Sequence, residues 1–223
     1  KLQTYTAETI TINHHGADFK INHGLWEGKY LYDLYENAHT PWEWHAPIME
    51  RARELGLICF SSPFDETAVD FLEDLNAPAY KIASFENNHL PLIAKAAATG
   101  KPLIISTGMA NLGELELAVS TARDAGCNQI ILLKCTSTYP ANPENTNIRT
   151  IPHLRNLFRT EVGLSDHTMG LGVAVASVSL GATVIEKHFT LARKDGGVDS
   201  AFSLEPLEMA NLVVETKRAW QAL

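Results

Sequence analysis

The chain has 223 residues, 45% of them hydrophobic and 20% charged, which suits a sizeable buried core and is too apolar for a disordered chain. Its formal net charge is −8, and its 18 Lys and Arg are scattered rather than gathered into a stripe, which argues against nucleic acid as a partner. No apolar run reaches the ~20 residues of a membrane span and no signal peptide opens the chain, so a cytoplasmic protein with no membrane partner is expected. The three cysteines, Cys59, Cys127 and Cys135, share no metal-type spacing and are expected as reduced thiols.

Short β-rich runs alternate with helical patterns along the whole chain, the pattern of parallel βαβ units. The runs cover residues 1–6, 57–62, 79–84, 102–107, 129–137, 161–167 and 183–190. The first, Lys1-Leu2-Gln3-Thr4-Tyr5-Thr6, alternates like a strand and lacks an initiating methionine, so a fragment is expected. Thr40-Pro41-Trp42-Glu43 predicts a helix start with a capping box, followed by a buried face of Ile48, Ala52 and Leu55. Gly56, Gly100, Gly126 and Gly181 each end a helical stretch where a left-handed cap is needed. Residues 205–223 supply a last helix.

Seven parallel strands fit either an open doubly wound sheet or a barrel. No Gly-x-Gly-x-x-Gly follows a strand, and polar residues collect at the C-terminal ends of nearly every strand. The expected fold is therefore α/β, a (β/α)8 TIM barrel spanning 1–223 and lacking its first strand and helix.

Ser61, Ser62, Ser84, Ser106, Thr107, Thr136, Ser137 and Ser165 stand at these strand ends as a ring of hydroxyls suited to phosphate and carboxylate oxygens. Lys1, Lys81 and Lys134 interrupt apolar strands, so they either meet a multiply charged anion at one mouth or snorkel to the strand ends. In Ser165-Asp166-His167 and Glu186-Lys187-His188, the period of two pairs Ser165 with His167 and Glu186 with His188. His167 and His188, on adjacent strands, are candidate ligands for a divalent transition metal. His14, His15 and His23 read as solvated loop residues. The aromatic segment 26–45, with His39 and His45, reads either as packing or as a wall of a sugar site.

Five strings carry a family resemblance: Lys1-Leu2-Gln3-Thr4-Tyr5, Tyr80-Lys81-Ile82-Ala83-Ser84, Ile105-Ser106-Thr107-Gly108-Met109, Gly163-Leu164-Ser165-Asp166-His167-Thr168 and Ile185-Glu186-Lys187-His188-Phe189-Thr190. In order along the whole chain, they resemble the sialic acid synthase family. Leu31-Tyr32-Asp33-Leu34-Tyr35-Glu36, running on to Trp44, is similar to its pseudaminic acid synthase branch. The resemblance implies a carbon–carbon bond-forming transferase that condenses phosphoenolpyruvate with 2,4-diacetamido-2,4,6-trideoxy-L-altrose. Water attacks C2, and phosphate leaves by C–O cleavage. N-acetylneuraminate and legionaminic acid synthases are the alternatives.

By the same resemblance, phosphoenolpyruvate meets Lys1, Lys81, Ser84, Ser106 and Ser165, while Gln3, Glu86, Tyr139 and Asp199 lie near the acceptor sugar; Ser137, in the ring of hydroxyls, is also expected to bind substrate. Glu86 is the candidate for proton transfer. His167 and His188 hold Mn²⁺, or Mg²⁺ or Co²⁺, and share in catalysis. Family members form homodimers and carry a C-terminal antifreeze-like domain, expected to lie outside this chain. Two rivals stand beside this reading: an aldolase forming a Schiff base at Lys81 or Lys134, and a barrel that only binds or scaffolds.

Overall fold

A computed structural model describes all 223 residues, Lys1–Leu223. In chain order the elements are β1 (Leu2–Thr4), α1 (Ala7–Ile10), α2 (Leu31–Ala38), α3 (His45–Glu54), β2 (Ser61–Pro63), α4 (Glu66–Asp74), β3 (Tyr80–Ile82), α5 (Leu90–Ala97), β4 (Leu103–Ser106), α6 (Leu112–Asp124), β5 (Ile130–Cys135), α7 (Thr150–Phe158), β6 (Glu161–Asp166), α8 (Gly172–Ser179), β7 (Val184–Lys187) and α9 (Pro206–Gln221). The strands form one sheet whose order follows the chain, β1 to β7, and the β1–β2, β2–β3, β5–β6 and β6–β7 pairs are parallel. Successive parallel strands joined by helices are the repeating unit of the expected α/β fold. The four glycines predicted to stop helices all take positive φ: Gly56 at 71°, Gly100 at 74°, Gly126 at 99° and Gly181 at 92°.

The chain divides into two compact units. The first comprises residues 1–82, 89–103 and 121–128. Its core includes the aromatic segment: Tyr5 packs edge-on against Phe64 at 5.0 Å and Tyr35 at 6.1 Å, and Trp42 packs on Phe71 at 4.7 Å. His45 is fully buried, its Nε2 lying 2.8 Å from Thr4 Oγ1, which in turn lies 2.7 Å from Ser61 Oγ. Packing is thus the role of Tyr35, Trp42 and His45. Ser61, expected on the polar rim, spends its hydroxyl on this chain of partners. Register instead aligns Gln3 with Ser62, and one step beyond the Ser61–Tyr80 pairing Ser62 stands beside Lys81.

Two local expectations are corrected. The run 57–62 enters the sheet only at Ser61, and Leu57 and Ile58 are 62% and 79% exposed; apolar content alone does not distinguish a strand from its approach. The helix start at Thr40 is displaced: Pro41 caps a short 3₁₀ turn, Trp42–Trp44, before α3 begins at His45. The buried stripe runs through His45 and Met49 with Ile48 and Ala52 half-buried beside them, and only Leu55, which follows the end of α3, is exposed, at 57%.

The second unit comprises residues 83–88, 104–120 and 129–223. Here the long connection after β7 is tied at its base, where Leu204 N donates to His188 O and Thr190 N to Leu204 O, each at 2.9 Å. Arg193 forks onto Glu208 with two 2.6 Å bonds, and its N–H meets Glu205 Oε1 at 2.8 Å. Both carboxylates belong to the capping box that opens α9. The connection is therefore held to a helix start rather than left loose.

Asp65 shows what a single cap contributes in the first unit. It accepts from Ala68 N at 2.8 Å, Thr67 Oγ1 at 2.7 Å and, from α1, Thr9 Oγ1 at 3.0 Å. Burial raises its pKa, but these hydrogen bonds outweigh it and hold the carboxyl below its ordinary value. A depressed folded-state pKa gives stability that is present above the unfolded pKa and is lost as pH falls through the folded one. Asp65→Ala is expected to destabilise the fold by about 1–2 kcal/mol at neutral pH. In urea melts, that deficit should shrink as pH drops below ~4.

Candidate functional site

The second unit gathers most of the residues singled out from the sequence. In β5, β6 and β7 the register places Cys135 beside Ser165 and Ser165 beside Glu186. Alternation aims this row to one face of the sheet, and His167 and His188 extend it just past the strand ends. Their ring centroids are 5.2 Å apart. Ser165 Oγ donates to Glu186 Oε1 at 2.7 Å, so Ser165 reaches the site already oriented by a carboxylate.

Each imidazole has its Nδ1 beside an acceptor. His167 Nδ1 lies 2.9 Å from Thr136 O, and His188 Nδ1 lies 3.3 Å from Asp199 Oδ2. A proton held on Nδ1 by an acceptor leaves Nε2 with a lone pair, the arrangement seen behind metal-bound histidines. Cys135 Sγ also lies near His167 Nδ1, but 3.9 Å is long beside the Thr136 bond, which fixes the tautomer. Burial pushes the Cys135 thiol up; the His167 contact and charge, with Ser84 and Ser137, bring it down to about 7. No group of three or more His, Cys, Asp or Glu side chains is arranged to hold a metal ion. A divalent ion at this place would have two imidazole donors, and its other positions would fall to water or a ligand.

Tyr139 covers the pair, its ring 4.4 Å from His167, and Phe202 packs on both Tyr139, at 5.5 Å, and His188, at 5.0 Å. Burial, then the negative groups Cys135, Asp199, Glu186 and Glu86, push the Tyr139 phenol well up, so it remains a donor at neutral pH. Glu86 ends the short 3₁₀ turn Ser84–Glu86, and Asn87, just after it, donates to the carbonyls of Ser106 at 3.1 Å and Thr107 at 3.0 Å. That pair of bonds ties the turn to the end of β4.

Gly108 supplies a close approach. It has φ +40°, and a Cβ there would lie 2.3 Å from Ser84 Cβ, 2.6 Å from Ser84 Oγ and 3.1 Å from Ser137 Oγ. Any larger residue would displace the two hydroxyls.

Ser84, Glu86, Ser106, Ser137, Tyr139, Ser165, His167, His188 and Asp199 thus all lie in the second unit. Lys1, Gln3 and Lys81 belong to the first, on or beside β1 and β3. Lys81 is 2% exposed and its Nζ donates to Ile82 O at 3.0 Å. Lys134 is corrected: it pairs with Leu164, on the face opposite Cys135 and Ser165, and its Nζ donates to Cys135 O at 2.7 Å. It does not share the site with the histidines. Burial lowers its pKa.

Cys135, Gly108 and Phe202 are site residues that the sequence reading does not single out. Cys135 could be found by carrying the two-residue period back from Ser137, as Glu186 is from His188. Gly108 and Phe202 depend on tertiary approach, which no local pattern carries.

Pseudaminic acid synthases of Campylobacter jejuni and Helicobacter pylori are 44% and 45% identical to the chain over its full length. The chain spans 65% and 66% of those proteins. A solved structure of N-acetylneuraminic acid (sialic acid) synthetase from Leptospira borgpetersenii in complex with citrate matches with a TM-score of 0.83 at 33% identity, covering 86% of this chain and 67% of that one. The NeuB family model matches residues 1–223. The chain therefore belongs to the NeuB family.

Proposed function

We propose that the protein is a pseudaminic acid synthase, condensing phosphoenolpyruvate with 2,4-diacetamido-2,4,6-trideoxy-L-altrose. The observation that carries this reading is the His167–His188 pair, both Nδ1 atoms engaged, set among hydroxyls packed around Gly108. Similarity to pseudaminic acid synthases over the full chain favours this acceptor over N-acetylmannosamine and the legionaminic acid precursor. Cytoplasmic location and assembly as a homodimer belong to the same reading. No helix is long and apolar enough to cross a membrane.

His167 and His188 would hold a divalent ion, Mn²⁺ before Mg²⁺ or Co²⁺, through Nε2. Such an ion polarises a carbonyl oxygen and lowers the pKa of a bound water. The protein's own groups do the rest. Ser84, Ser106, Ser137 and Ser165, with Lys1 and Lys81, bind the carboxylate and phosphate of phosphoenolpyruvate. Holding its C3 against the aldehyde carbon of the open-chain sugar makes the bond-forming step effectively unimolecular. Glu86 moves the proton at the reacting oxygens. Tyr139, kept protonated, donates to the acceptor, and Asp199 orients His188. Gln3 contacts the sugar.

Phosphate release by the full-length protein, measured with a panel of acetamido sugars, tests this reading. The altrose substrate should give the highest kcat/KM; a preference for N-acetylmannosamine would overturn the assignment. Chelation should abolish turnover and Mn²⁺ restore it, whereas activity that survives chelation and is trapped by borohydride would favour the lysine aldolase. Gly108→Ala should lower kcat/KM for phosphoenolpyruvate about 100-fold, because shifting Ser84 and Ser137 by about 1 Å misaligns the reacting carbon. Its melting temperature should also fall, because alanine at φ +40° is strained and crowds Ser84.

A further inference from the structure

Asp166 and Lys187 stand directly opposite one another on β6 and β7, one residue before His167 and His188. By alternation they point to the face away from Ser165 and Glu186. Their side chains are 1% and 2% exposed, and Lys187 Nζ lies 2.7 Å from Asp166 Oδ2. The pair is hydrogen-bonded further: Asp166 Oδ1 accepts from Thr168 N at 2.9 Å and Thr168 Oγ1 at 2.8 Å, and Lys187 Nζ donates to Thr168 O at 2.6 Å.

Stability alone does not require such a pair. Replacing a buried ion pair with apolar side chains of similar volume is often neutral or stabilising. What these bonds achieve is geometric. The Asp166 carboxylate closes a turn on the backbone N–H two residues on, with His167 as the residue inside it. Lys187, reaching from the neighbouring strand, grips both the carboxylate that closes that turn and the carbonyl at its far end. The backbone of His167 is thereby locked to the residue preceding His188.

We infer that Asp166 and Lys187 are positioning residues that set the separation and orientation of the two imidazoles for a shared divalent cation. The inference rests on the reading of His167 and His188 as metal ligands. It assigns no contact with substrate to either member of the pair. It goes beyond the hydrogen bonds on Nδ1, because those fix each ring's tautomer and tilt, whereas the ion pair fixes one histidine's backbone against the other's.

The test is made on the full-length protein with Mn²⁺ alone, followed by the electron paramagnetic resonance of the free ion, and with Co²⁺, followed by its visible absorption. Lys187→Met would leave Asp166 charged and unpaired, so the informative variant is the double substitution Asp166→Asn with Lys187→Met. Asparagine keeps an oxygen for Thr168, and methionine keeps the volume of the lysine stem. The double variant should melt close to the wild type, bind Mn²⁺ about 10–100-fold more weakly, and show altered Co²⁺ bands. Unchanged Mn²⁺ affinity and an unchanged Co²⁺ spectrum in the folded double variant would overturn the inference. Should that variant not fold, Asp166→Glu, which keeps a carboxylate for Lys187 but moves it off the Thr168 N–H, carries the same expectation and the same refutation. His167→Ala and His188→Ala separate the two levels. If either histidine variant binds Mn²⁺ as tightly as the wild type, the metal reading falls and takes the inference with it. If both lose binding while the ion-pair variant keeps it, only the inference falls.

Discussion

The register of β5, β6 and β7 is the constraint on which the site depends. A slip of one residue in β6 would exchange its two faces, turning Asp166 toward Glu186 and Ser165 toward the buried side. The observed register gives each face a consistent chemistry. One carries Cys135, Ser165 and Glu186 toward the histidines; the other carries Leu164 and the Asp166–Lys187 pair. An apolar slip is only costly, but a slip that strands a buried carboxylate away from its ammonium costs several kcal/mol. The ion pair therefore also acts as a register mark.

The sequence made the strands and the ends of the helices legible because their signals are local. Period-two runs, and glycines able to take positive φ, need no tertiary partner to be recognised. The histidine pair was legible for the same reason, since adjacent strands of a parallel repeat bring equivalent positions together. What was not legible is which face a polar residue points to. Lys134 and Ser61 both sit in apolar strands with polar neighbours, yet one lies across the sheet from Cys135 and the other bonds to Thr4 behind β1. Period alone says that faces alternate, not which of them is the site. Likewise, α3 starts at His45 and ends at Glu54, so the apolar period carries Ile48 and Ala52 onto the half-buried face but leaves Leu55 beyond the helix. Gly108 was visible only as part of a familiar string; its reason, the crowding of Ser84 and Ser137, is three-dimensional.

Few polar groups of the candidate site are left undirected. Ser165 is oriented by Glu186, and the turn carrying Ser84 and Glu86 is tied to β4 through Asn87. Groups held in this way lose little further freedom on binding, which is the physical basis of preorganisation.

The two histidines differ in how they are held. His167 gives its Nδ1 proton to the Thr136 carbonyl, a neutral acceptor at the end of β5. His188 faces the Asp199 carboxylate, which lies on the connection between β7 and α9. The acceptor behind His188 is thus supplied by a loop, and the one behind His167 by the end of a strand. The place of Asp199 depends on the tie of the connection to α9, through Arg193 and Glu208, and on the Ser203 Oγ bond to Asp199 O at 2.7 Å. The tautomer of His167 is thus held from the end of β5, whereas that of His188 is coupled to the fold of a loop. A change far from the rings, at the Arg193 fork, would therefore reach His188 through Asp199, and His167 only through the Phe202–Tyr139 contact.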